Sequence, residues 1–187
     1  MTFEPERKIG LPQFRAICHA ISRYEDITML GHHMVESICI TFEIKAASIL
    51  LFDDREKRLF NVCSHGLSEE YNRVVPEFSD MFQEFTQGRW VYFEDFANDP
   101  RVKNKAVVEK EGIASMLSVP IKRSENILGL LKLYNTEHWM IHKEDIMSVS
   151  VLAEQYGLVI ENNGLQNFLT EVKVAMGSLP LRKLKGL

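Results

Sequence analysis

Three cysteines, six histidines and a short aromatic and acidic run are the residues of this chain with chemistry to offer. Cys18, Cys39 and Cys63 are odd in number and nowhere form a Cys-x-x-Cys pair. That pattern argues against a disulfide framework and against a structural zinc site, and it favours a reducing compartment. Cys18 and Cys39 fall on apolar helical stripes, where a thiol behaves as a small apolar residue. His32 and His33 are neighbours on a predicted helix, so they point in different directions and cannot share a metal ion. No Ser-His-Asp set, carboxylate pair or phosphate-binding glycine loop stands out. The run WVYFED, Trp90 to Asp95, has the aromatic and β-branched composition of a fifth strand or an edge segment. Arg101, at the start of a predicted short helix, stands where it could meet an anionic ligand beside a helix N-terminus.

The elements that must position these residues are legible in order. Residues 1–11 are polar, with Pro5 and Gly10, and read as a loose leader. Pro12 suits a first helical turn, and Phe14, Ile17, Ile21 and Tyr24 follow at three- and four-residue steps. Asp26 stands where it caps a second helix, from about Ile27 to Thr41, which turns Ile27, Leu30, Met34 and Ile38 inward. Ala46 to Asp53 and Arg58 to His65 make a hairpin. Leu67 to Val75 and Phe78 to Gln87 have short-helix character, closed by Gly88. Asp99 and Pro100 occupy capping and first positions for a short helix through Glu109, ended by Gly112.

Gly112 to Thr136 then reads as a second hairpin around the turn Arg123-Ser124-Glu125-Asn126. Leu117, Val119 and Ile121 alternate on one strand, and Ile127, Gly129, Leu131 and Leu133 on the other. An odd loop puts these two apolar sets on one side of the sheet. The opposite side is mixed, with Met116, Ser118 and Lys122 facing Leu128, Leu130, Lys132 and Tyr134. Gly129 is expected to let a helix approach closely. From about Lys143, Ile146, Val149, Ala153, Tyr156 and Ile160 repeat at three and four, and the apolar content continues to Met176. A helical pattern of about thirty residues suggests coiled-coil pairing with a second copy. Residues 177–187 form a short basic tail.

Composition bounds the possibilities. With 187 residues, 45% hydrophobic and 26% charged, the chain suits one globular domain with a sizeable core. A net charge of −4 and a pI near 5.9 argue against nucleic acid as a main partner. The N-terminus lacks an apolar targeting segment, and no run of about eighteen apolar residues occurs, so no membrane anchor is expected. These observations reach an α+β domain with an antiparallel sheet and helices on one face.

Six segments in order carry a closer resemblance: AASILLFDD (46–54), LFNVCSHGLSEEY (59–71), VYFEDFANDPRV (91–102), GIASMLSVPI (112–121), ILGLLKLYNT (127–136) and EDIMSVSVLAEQYGLVIEN (144–162). Together they resemble the GAF domain, a relative of the PAS sensory fold, in its stand-alone bacterial form, over roughly residues 14–165. The resemblance implies a sheet of five or six strands in the order 2-1-5-4-3, with the terminal helices on one face and short helices and loops covering the other. It implies a single domain over residues 12–176, homodimerisation through the terminal helices, and a small-molecule pocket opposite them. It also implies a non-catalytic, cytoplasmic signalling role, with the output left to a separate partner protein because the printed sequence stops about ten residues after the long helix. A ligand-free dimerisation scaffold is the alternative.

Within that resemblance the expected ligand contacts are Trp90, Tyr92, Asp95, Arg101, Met116 and Ser118. Asp95 has a second reading, in which its carboxylate satisfies N–H groups of its own loop. No cofactor is named. Asn104-Lys105 lacks the rest of the cyclic-nucleotide signature of the family, and Cys63 with His65 is not the bilin-attachment arrangement. A haem would need an axial histidine among His65, His138 and His142. Free methionine sulfoxide reduction, the main enzymatic alternative, would need a resolving partner for Cys63.

Overall fold

A computed structural model of the chain describes residues 5–21, 26–53, 58–74, 88–100, 102 and 104–177. Helices α1 (Leu11–Ile21) and α2 (Ile27–Phe42) lead into strands β1 (Ala46–Asp53) and β2 (Arg58–His65). Helix α3 (Glu69–Val74), strand β3 (Val91–Phe93) and helix α4 (Lys105–Glu111) follow. Strands β4 (Ser115–Arg123) and β5 (Asn126–Asn135) precede the long helix α5 (Lys143–Gly177). The five strands form one antiparallel sheet in the order β2-β1-β5-β4-β3, the order expected. The segment Phe78–Gln87, expected to be a short helix, and the basic tail lie outside the described residues.

Local chemistry explains most boundaries. The Asp26 carboxylate accepts from the backbone N–H groups of Thr28 and Met29 at 2.8 and 3.0 Å, which satisfies two orphan donors at the start of α2. Gly112 ends α4 in the left-handed region, at φ 72°. The short helix begins later than Asp99 would have started it, at Lys105 behind Asn104. Asp99 and Pro100 belong instead to the turn that enters it.

The sheet carries two cores, one on each face. On the first, Leu30, Met34 and Ile38 of α2 and Val149, Leu152 and Tyr156 of α5 pack on Leu117, Val119, Ile121, Leu131 and Leu133. On the second, Leu59, Tyr71, Phe93, Phe96, Val108 and Ile113 pack with Leu50, Met116, Leu130 and Tyr134.

The β4–β5 hairpin keeps its two apolar sets on one side, but not through an odd loop. Arg123 pairs with Asn126 across a two-residue turn, and Ser124 there takes φ 51°. The register then shifts, with Lys122 opposite Ile127 and Ile121 opposite Gly129, so Leu128 is an extra residue in β5. This bulge restores the parity that an even turn would have broken. It also turns Ile127 to the second face and Leu128 to the helix face, the reverse of the simple alternation.

Two further expectations are corrected. A Cβ on Gly129 would lie 2.1 Å from the carbonyl oxygen of Leu50, so this glycine serves the close approach of β1, not of a helix. The helix approaches at Gly157 of α5, where a Cβ would lie 2.8 Å from the Lys122 carbonyl oxygen. The leader is not loose over its whole length either. Both oxygens of the buried Asp145 accept from backbone N–H groups, of Ile9 at 2.9 Å and of Lys8 at 2.8 Å, and Ile9 is fully buried. Arg7 adds an ion pair to Glu144 at 2.6 Å.

Candidate functional site

Strand alternation sorts the expected contact residues. Tyr92 pairs with Leu117 and packs into the helix-face core, where its hydroxyl donates to the Trp139 carbonyl at 2.5 Å. Met116 pairs with Phe93, and Ser118 with Val91, on the opposite face. Tyr92 and the pair Met116 and Ser118 therefore cannot line one cavity, because successive residues of a strand point to opposite sides of the sheet. Trp90 is half exposed and borders an open groove of about 500 Å³ at the sheet edge, with Arg89, Val119, Lys122, Ser150 and Glu154. Asp95 folds back on its own loop, accepting from Asn98 N at 3.3 Å and from Asn98 Nδ2 at 2.9 Å. Arg101 lies outside the described residues.

The second face holds a set of polar groups that reading along the chain did not assemble. Ser48 of β1 and Ser118 of β4 both pair with Lys132 of β5, so the three stand in one row across the middle of the sheet. All three are fully buried. Strand parity places them beside Leu50, Met116 and Leu130. Ser48 Oγ lies 3.2 Å from the Tyr134 hydroxyl, and the Tyr134 ring meets Tyr71 edge-on, with centroids 5.6 Å apart. Ser118 Oγ has no hydrogen-bond partner among the described residues, and neither has Asn61 Oδ1 on the neighbouring β2.

Desolvation sets the electrostatics. Burial lowers the Lys132 ammonium from 10.5 to about 7, because the charged form loses its hydration. Burial raises both Tyr71 and Tyr134, so they remain neutral phenols. A lysine flanked by leucines in LLKLY marks the site, but only the cross-strand register shows that two serines join it.

The remaining chemistry is on the other face or at the rim. Cys39 and Cys63 belong to the helix-face core, where burial pushes their thiols up to about 12 and about 11. Such thiols hold little thiolate at neutral pH and are not prepared as nucleophiles. His138 Nδ1 lies 2.7 Å from the Glu94 carbonyl oxygen, and His142 Nδ1 accepts from Glu144 N at 3.1 Å. His65 pairs with Ala47 of the helix-face core and is exposed, so none of the three histidines reaches the Lys132 row. Among the described residues no cluster of three His, Cys, Asp or Glu could hold a metal ion. Among the same residues no helix is long and apolar enough to cross a membrane.

Comparison with known proteins agrees with this geometry. A family model of the GAF domain matches residues 26–161. No curated relative matches the sequence. The GAF domain of a phosphoenolpyruvate-protein phosphotransferase from Coxiella burnetii superposes with a TM-score of 0.74 at 16% identity, covering 84% of this chain and 95% of that one. The corresponding domain from Acinetobacter gives 0.70 at 20% identity, over 84% and 96%. A far-red-absorbing protein in its dark state, with bound biliverdin, gives 0.64 at 13% identity, over 81% and 99%.

Proposed function

We propose, since this chain belongs to the GAF domain family, that it is a non-catalytic sensory module that binds a small molecule on the second face of its sheet. The observation that carries this reading is the buried row Ser48, Lys132 and Ser118 in an otherwise apolar surface. A buried polar group without a partner is costly, and Ser118 Oγ has none among the described residues; convergent polar groups in an apolar setting are what a ligand pocket offers. Of the contacts expected from the sequence, Met116 and Ser118 belong to this floor. A structurally similar protein that carries bound biliverdin supports a ligand-holding role for the fold.

The signal passes, in this reading, to a second copy through the terminal helices and then to a separate partner protein in the cytoplasm. Met147, Val151 and Leu158 of α5 are exposed at helical spacing, opposite the buried Val149, Leu152 and Tyr156. That exposed ridge supports pairing. The ligand-free scaffold has its own support, because Met116 is fully buried and already fills space on the second face. Native mass spectrometry of protein purified from its own host separates the two. A co-purifying small molecule is expected, and its absence together with no thermal shift across a metabolite panel favours the scaffold.

A further inference from the structure

Away from the second face, one concave surface carries chemistry that neither core uses. The groove of about 500 Å³ beside Trp90 runs where β4 and the chain entering β3 meet α5, and its size is that of a small-molecule site. Val119 and Pro120 give it an apolar lining, and Ser150 and Glu154 of α5 form the far wall. Trp90 leaves 45% of its surface exposed there, and no ring among the described residues stacks on its indole. A bare aromatic face beside a hollow is a place where a flat ring gains both burial and stacking.

The charges around the groove do not balance. Lys122 is occupied, since its Nζ lies 3.6 Å from Glu154 Oε1 and 3.5 Å from the Gly88 carbonyl oxygen. Arg89 has neither an ion pair nor a hydrogen bond among the described residues. With Lys122 and Glu154 cancelling, one positive charge is left over, on a planar guanidinium that binds a carboxylate through two parallel hydrogen bonds. Ser150 Oγ donates its hydrogen to the Ile146 carbonyl at 2.8 Å, so toward the groove it only accepts. The α5 wall thus repels an acid and directs it to the Arg89 end. A phosphate dianion would leave one charge uncompensated, and a cation would meet the unpaired arginine.

We propose that this groove is a small-molecule site for a flat aromatic monocarboxylate, its ring on Trp90 and Val119 and its acid group on Arg89. The site is separate from the pocket proposed on the second face and does not depend on it. A molecule held here joins the β3 edge to α5, on the flank of the exposed Met147, Val151 and Leu158.

The test is a titration of the full chain followed by the indole N–H signals in proton–nitrogen NMR, with benzoate, benzamide, cyclohexanecarboxylate and phenyl phosphate as probes. The chain has two tryptophans, and Trp139→Phe assigns their signals. Benzoate should move the Trp90 signal saturably and leave that of Trp139 in place. Benzamide, which lacks the charge, and cyclohexanecarboxylate, which lacks the flat ring, should each bind at least about fivefold more weakly. Arg89→Gln, at an exposed position, should fold as the parent does and weaken benzoate about tenfold, with Arg89→Lys retaining part of the affinity. A Trp90 signal that benzoate leaves unmoved up to about 20 mM would overturn the proposal. So would an amide or a saturated acid that binds equally well, tighter binding of phenyl phosphate than of benzoate, or unchanged benzoate affinity in Arg89→Gln.

Discussion

The two faces of the sheet use the same five strands for opposite purposes. On the helix face, Leu117, Val119, Leu131 and Leu133 meet α2 and α5 in a core whose polar atoms are few and spoken for, such as the Tyr156 hydroxyl donating to the Ile27 carbonyl at 3.1 Å. One residue along each strand, the other face buries an amine, two serine hydroxyls and two phenols. Burying polar groups costs free energy that apolar packing does not, so a face built for stability alone has no need of that set. The difference supports the reading in which one side holds the fold together and the other carries the proposed ligand contacts.

The sharpest way to break this comparison is at the seam that both faces share. Gly129→Val places a side chain against the Leu50 carbonyl and Leu51 Cα, backbone that cannot move aside as a side chain could, and should cost about 3 kcal/mol or prevent folding. Urea denaturation measures it. On the helix face alone, Leu152→Ala leaves a cavity among fully buried neighbours and should cost about 3 kcal/mol by the same method.

On the second face the informative variable is pH. Lys132→Met keeps the volume and removes the fully buried amine, and with it the titration at that position. The folded Lys132 titrates near 7 and the unfolded one near 10.5, so between those values the unfolded chain holds a proton that the folded chain has shed. Stability contributed at Lys132 therefore rises with pH through this window, and below about pH 7 its penalty is fully present. Cys39 and Cys63, raised to about 12 and about 11, act in the other sense above pH 9, because the unfolded thiols ionise first. The stability of the parent minus that of Lys132→Met cancels the cysteines, and this difference should climb from pH 7 to 10; a flat difference would mean the amine is not desolvated. The smallest effect is outside both faces: Leu158→Lys on the exposed ridge of α5 should change protomer stability by no more than about 0.5 kcal/mol. Light scattering should nevertheless show the proposed dimer lost.

Much of the fold was legible because it rests on periodicity and capping. Asp26, Gly112 and the alternation of Leu117, Val119 and Ile121 act through their nearest neighbours, and short-range rules read them. The bulge at Leu128 was not legible, since turn length and bulge compensate and only their sum fixes the faces. The site was legible in part for the same reason. Met116 and Ser118 alternate correctly within β4, but grouping them with Tyr92 required the register and parity of β3, which three residues of strand do not announce. Lys132 was visible as an oddity in an apolar strand. Its alliance with Ser48 and Ser118 spans three strands that pairing alone brings together.

The latch at Asp145 bears on how such a chain comes to be folded during synthesis. Its carboxylate closes a loop of 136 residues to Ile9, and it sits in the first turn of the helix that covers the sheet. Contacts this distant in sequence repay the entropy of closure only after the intervening structure exists. The N-terminal segment must therefore wait, exposed, until the ribosome has released nearly the whole sheet and the start of α5. A nascent chain arrested before that point should present Ile9 and the uncovered helix face to chaperones, and one arrested shortly after should not.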